Sequence, residues 1–174
     1  LTVGTGVTIG VAGIATFRSG RIDVGDSLGN TAVGEDAGKA ITTGSGNVAV
    51  GALALDANTT GTQNVAVGRN SLGANTTASY NVAIGHNTLE TTTTGAANVG
   101  VGDGVLNANV SSNLTAVGHR ALLANTTGTK NTAIGYKTLT TVTTASNNTA
   151  LGYAALELNT TGVENVAVGS EALD

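Results

Sequence analysis

Branched and small residues alternate in a five-residue phrase that returns along this chain at a nearly fixed step. The phrase runs from Asn47 through Val48, Ala49 and Val50 to Gly51, and nine copies can be aligned. They close on Gly34, Gly51, Gly68, Gly85, Gly102, Gly118, Gly135, Gly152 and Gly169. The step is 17 residues throughout, except for 16 between Gly102 and Gly118. Asn opens every copy but one, where Leu114 takes its place. A short fixed period predicts a solenoid, in which each coil contacts only the coils above and below it. Alternation over the phrase predicts a short β-strand. Gly, Asn and paired Thr in every unit leave no window that favours a helix. The expected fold is therefore all-β, a parallel β-roll or β-solenoid with coils of about 17 residues, each built from two short strands and two turns. Nine coils at about 4.8 Å give a rod roughly 40 Å long.

Columns emerge when the copies are aligned. The fourth position is always branched aliphatic: Val33, Val50, Val67, Ile84, Val101, Val117, Ile134, Leu151 and Val168. This column is expected to be core. The second position is Val or Thr and shares that face, so it is expected at the core's margin. The third position is Ala in every copy except Gly100 and points the other way, which implies close packing against another layer or another chain. Four residues after the closing glycine stands a second core column, Leu55, Leu72, Leu89, Leu106, Leu122, Leu139, Leu156 and Leu173, expected on the opposite wall of the coil. The closing glycine implies a tight turn at positive φ. Asn-Thr-Thr-Gly stretches such as Asn58 to Gly61 supply turn chemistry before the next strand. The single deletion should fall in a loop, since losing a strand residue would reverse the faces.

Composition narrows the functional classes. The net charge is −4 and only 10% of residues are charged, which argues against nucleic acid as a partner. Cysteine is absent, so there are no disulfides or thiolate metal sites, and no cofactor is expected. No apolar run approaches the ~18 residues that span a bilayer. Residues 1–29 keep only loose alternation, with many glycines and the single Phe17, and are expected to form an irregular β connector or cap. The repeat domain is expected over 30–174. With no Met, and with the last copy stopping part-way through its coil, the chain reads as a piece of a longer protein.

The repeat resembles the head repeat of YadA-like trimeric adhesins, in which Ser/Asn-Val-Ala-Ile-Gly recurs. The resemblance covers residues 30–174. It departs in its longer period and in lacking a basic neck motif. It implies a left-handed β-roll and a homotrimer, intertwined or side by side. By the same resemblance the candidate trimer seam is the small column (Ala49, Ala66, Ala83, Gly100, Ala116, Ala133) together with the Val/Thr column. The segment from Val7 to Phe17 resembles linker sequence in phage tail fibres. Together these imply a structural and adhesive segment of a surface fibre on a virion, a phage tail fibre that meets a host receptor or glycan. The alternative is a bacterial trimeric autotransporter adhesin head on the outer surface.

The residue after each closing glycine carries much of the side-chain diversity. Here lies the candidate receptor edge: Arg69, His86, His119, Tyr136 and Tyr153. The plainer reading is a solvated turn that accepts any polar residue. His86 and His119 lie two coils apart, about 10 Å by strand spacing, too far to share one metal ion directly. Asp103 between them leaves a one-metal site geometrically conceivable, but none is expected. An enzyme is not expected either. Polysaccharide-cleaving tailspikes need paired carboxylates at the scissile bond, and acids are sparse here. An ice-binding solenoid would need a flat Thr face, whereas pairs such as Thr59-Thr60 sit among turn residues.

Overall fold

A computed structural model describes residues 26–174; all of the expected connector except residues 26–29, Phe17 included, lies outside the described residues. The described chain is an all-β solenoid of about 8 turns, with about 17 residues per coil and no helix. Its strands are β1 (Thr31–Val33), β2 (Val48–Val50), β3 (Val65–Val67), β4 (Val82–Ile84), β5 (Val99–Val101), β6 (Thr115–Val117), β7 (Thr132–Ile134), β8 (Thr149–Leu151) and β9 (Val166–Val168). They form one parallel sheet in sequence order. Register is strict: Ala49 pairs with Ala66, Ala66 with Ala83, and Ala83 with Gly100.

Each coil contributes one strand, not the two expected. The remaining wall is turn, yet it too is bonded from coil to coil. Leu55 N donates to Ser71 O at 3.1 Å, and Leu89 N donates to Val105 O at 2.9 Å. The leucines of this wall cannot be in a strand because they have positive φ, 51° at Leu55 and Leu72. Left-handed backbone at a non-glycine residue costs about 1–2 kcal/mol. The buried leucine side chains and the inter-coil bonds offset it.

The strand faces are the reverse of the sequence expectation. The third position faces inward: Ala49, Ala66, Ala83, Ala116, Ala133 and Ala150 are fully buried. The fourth position, expected as core, faces out. Val50, Val67, Val101 and Val117 are half-buried, while Val33, Ile84, Ile134, Leu151 and Val168 are exposed, Leu151 at 44% and Val168 at 66%. The cause is the narrow cross-section of the coil. Leu55, Leu72, Leu89, Leu106, Leu122, Leu139 and Leu156 reach across from the turn wall and are buried. Little is left for the strand to fill. A Cβ added at Gly100 would meet Thr88 Cγ2 at 2.8 Å and Leu89 Cδ1 at 3.5 Å. In the end coils the pattern lapses: Ala32, whose coil carries Gly38 in place of the leucine, is exposed, and so is Leu173.

The closing glycines have φ between 121° and 139°. They also stack backbone on backbone, so a Cβ at Gly51 would lie 2.7 Å from the carbonyl of Gly68. Both features exclude other residues. The deletion falls in the turn between Asn109 and Leu114, and β5 and β6 stay in register. There Ser111 re-knits the shortened turn, its hydroxyl donating to Asn109 Oδ1 at 2.8 Å and its amide to the same oxygen at 3.0 Å.

Two columns of buried asparagine complete the interior. One opens each strand. Asn64 N donates to Asn47 Oδ1 at 2.9 Å, and Asn64 Nδ2 donates to Ala78 O at 2.8 Å. The other follows the leucine wall, where Asn75 Nδ2 donates to Asn58 Oδ1 at 2.9 Å and Asn125 Nδ2 to Asn109 Oδ1 at 3.0 Å. Such ladders, familiar from cross-β stacks, satisfy buried amides along the stacking axis.

Candidate functional site

The edge beside the closing glycines is fixed by the backbone. Asn87 N donates to Arg69 O, Gly104 N to His86 O, Lys137 N to His119 O and Ala154 N to Tyr136 O, at 2.8–3.0 Å. Each coil therefore presents its edge residue directly above the previous one. Arg69, His86, Asp103, His119, Tyr136 and Tyr153 form an exposed rank in that order.

Within the rank the side chains meet. His86 Nδ1 lies 2.8 Å from Asp103 Oδ1, and His119 Nε2 lies 3.5 Å from Asp103 Oδ2. The imidazole of His119 stacks on Tyr136 with centroids 5.4 Å apart and planes at 16°. Tyr136 stacks on Tyr153 at 5.3 Å and 7°. Four of the five sequence-predicted edge residues thus join one continuous side-chain column, bridged by Asp103. Arg69 stands one coil before His86. Among the described residues no group of three or more His, Cys, Asp or Glu is arranged to hold a metal ion.

The second residue after each glycine adds Arg120 and Lys137, which a reading confined to the first position passes over. Arg120 is exposed. Lys137 Nζ sits 5.7 Å from the Tyr136 ring centroid and 3.6 Å from Glu157 Oε1. The signal was present in the sequence: basic residues directly follow two successive members of the rank, His119 and Tyr136.

Charge is sorted along this edge. Acids lie at its ends, Glu35 and Asp36 in the first coil and Glu171 in the last. The middle holds Arg69, His86, His119, Arg120 and Lys137, with Asp103 in the rank and Glu157 beside Lys137. On the neighbouring turn Gly73 leaves a gap between Asp56 and Glu90, and a shallow depression opens there.

The candidate seam divides in two. Ala49, Ala66, Ala83, Gly100, Ala116 and Ala133 are inside the coil and cannot meet another chain. The Val/Thr column is on the outer sheet face beside the branched column, half-buried from Thr31 to Thr132 and exposed at Thr149 and Val166. Neither outer column contains a charged residue. The paired threonines are committed elsewhere: Thr59 Oγ1 donates to Thr76 O at 3.0 Å, and Thr126 Oγ1 to Thr143 O at 3.0 Å. Among the described residues no helix is long and apolar enough to cross a membrane. No family model, no curated protein and no solved structure matches the chain.

Proposed function

We propose that this solenoid is a structural and adhesive segment of a homotrimeric surface fibre, a tail fibre of a virion that contributes to host attachment. The observation that carries the reading is the outer face of the sheet. It presents two uncharged columns of Val, Ile, Leu and Thr, in register over nine strands. A continuous uncharged strip of this kind, half-buried in places and exposed at Ile84, Ile134, Leu151 and Val168, suits an interaction surface. The strip repeats at every coil, so a second and third copy of the same rod can match it rung for rung. The seam then consists of the Val/Thr and branched columns, with the edge after the glycines left free for a receptor.

Light scattering coupled to size-exclusion chromatography tests this. The expected mass is three times the 16.9 kDa chain. Val101→Glu, on the half-buried outer face, should yield folded monomers with the wild-type circular dichroism spectrum. A wild-type chain that stays monomeric at high micromolar concentration would overturn the fibre reading.

A further inference from the structure

We propose that the middle of the glycine-turn edge, from Arg69 to Tyr153, binds an acidic polysaccharide laid along the rod axis. This rests on the fibre reading and names the chemistry of its receptor. Three features of the edge point to such a ligand.

The first is charge. Three of the five Lys and Arg among the described residues (Arg69, Arg120, Lys137) and both histidines occupy this stretch, on a chain whose net charge is −4. Arg69 and Arg120 make no ion pair among the described residues, so their guanidinium forks are free for carboxylates. Asp103 faces His86 and His119, and Glu157 lies 3.6 Å from Lys137, so the two arginines carry the unpaired charge.

The second is spacing. Rings in the rank repeat at 5.3–5.4 Å. That is close to the length of one pyranose in an extended β-linked chain, so successive sugars can meet successive coils in register. A periodic ligand thereby gains affinity from each unit without any single deep pocket.

The third is the orientation of the rings. His119, Tyr136 and Tyr153 stack face to face, so Tyr136 has both faces covered. The column offers ring edges and phenol hydroxyls. A nucleobase needs an open aromatic face to stack on, and this column offers few. A hydroxylated chain with pendant carboxylates needs hydrogen-bonding edges and cations, which this column supplies.

The probe is an oligomannuronate of defined length, titrated calorimetrically against the full chain. Tyrosine fluorescence gives a second readout, with Tyr80→Phe removing the only tyrosine outside the rank. Binding is expected to weaken as salt rises. Arg120→Gln should weaken it about tenfold, the loss of one charge-assisted contact. Tyr136→Phe should weaken it by less, about threefold, while the ring stack persists. Asp103→Asn should tighten it. Lys130→Gln, across the strand from this edge, should leave it unchanged. Absence of binding, equal binding of a neutral oligomannose, an equal loss in Lys130→Gln, or equal binding of a single-stranded oligonucleotide would each overturn the proposal. A trimer that ignores the probe sinks this inference alone. A monomer that binds it sinks the fibre reading and leaves the edge chemistry standing.

Discussion

Two columns of asparagine run up the inside of the rod, and an interruption strands a different group in each. In the column that opens the strands, each side-chain oxygen is served by the backbone amide of the next coil. Asn81 N donates to Asn64 Oδ1 and Asn98 N to Asn81 Oδ1, both at 3.0 Å. When Leu114 replaces an asparagine, its own backbone N still donates to Asn98 Oδ1 at 3.0 Å, so the oxygen before the break keeps its donor, while Asn131 N loses the side-chain oxygen that would accept from it. In the column along the leucine wall, the oxygen is served by the next side chain. Thr92 and Val142 break that column, and the oxygens of Asn75 and Asn125, directly before the breaks, have no partner. A buried acceptor without a donor costs about 1–3 kcal/mol. A break in the leucine-wall column strands a side-chain acceptor before it, whereas a break in the strand-opening column strands a backbone donor after it.

Breaking the first column should produce the largest effect. Asn64→Ala leaves the backbone N of Asn81 without its acceptor and removes the donor to Ala78 O. We expect a loss of about 3 kcal/mol in urea denaturation, from buried groups left unpaired. A loss below about 1 kcal/mol would mean that water reaches this column. Repairing the second column should give the opposite sign. Thr92→Asn places an amide donor against Asn75 Oδ1 and should raise stability by about 1 kcal/mol. A destabilised Thr92→Asn would show that the hydroxyl bond it gives up, Thr92 Oγ1 to Asn109 O at 2.9 Å, outweighs the repair. Val142→Asn repairs Asn125 in the same way but gives up a fully buried aliphatic side chain. The two contributions are of similar size, so its unfolding free energy in urea should stay within about 0.5 kcal/mol of the wild type.

The smallest effect concerns how the first column is capped. Asp26 takes the place of a preceding asparagine: Asn30 Nδ2 donates to its Oδ2 at 3.0 Å and Asn30 N to its Oδ1 at 2.8 Å. The Asn30 side-chain bond, then the Asn30 backbone bond, hold this carboxyl below its ordinary value. A lowered carboxyl value means the cap contributes above the ordinary carboxylate range and is lost as pH falls through the lowered value. Acid titration followed by NMR should move the Asn30 amide resonance while that of Asn64 stays fixed. Resonances that move together would place the acid response elsewhere.

Much of the architecture was legible because the period is so regular. The solenoid, the leucine wall, the turn glycines and the loop position of the deletion all follow from spacing and size. The direction of the strand did not. A three-residue strand with large residues on one side and alanine on the other has two ways to face, and apolar side chains are not obliged to be inside. The choice is made by the leucines of the opposite wall, which leave room only for alanine at Ala49 or Ala83. That is a property of the closed coil, invisible in the strand alone. The asparagine ladders were within reach. Asn recurs in two columns at the coil period, and stacking at that period places one amide over the next. The edge chemistry was half legible, since ranking the first residue after each glycine finds His119 and Tyr136 but passes over Arg120 and Lys137.

The inter-coil hydrogen bonds, such as Val48 N to Asn64 O at 2.8 Å, run from each coil to the next along the stacking direction. A pull along the rod therefore opens the structure like a zip, one coil at a time, and does not shear all the bonds at once. Each coil that lets go exchanges about 4.8 Å of stacked height for a tether of roughly 55–60 Å. Anchored at both ends, such a rod would yield in small repeated steps and lengthen many-fold before it parted.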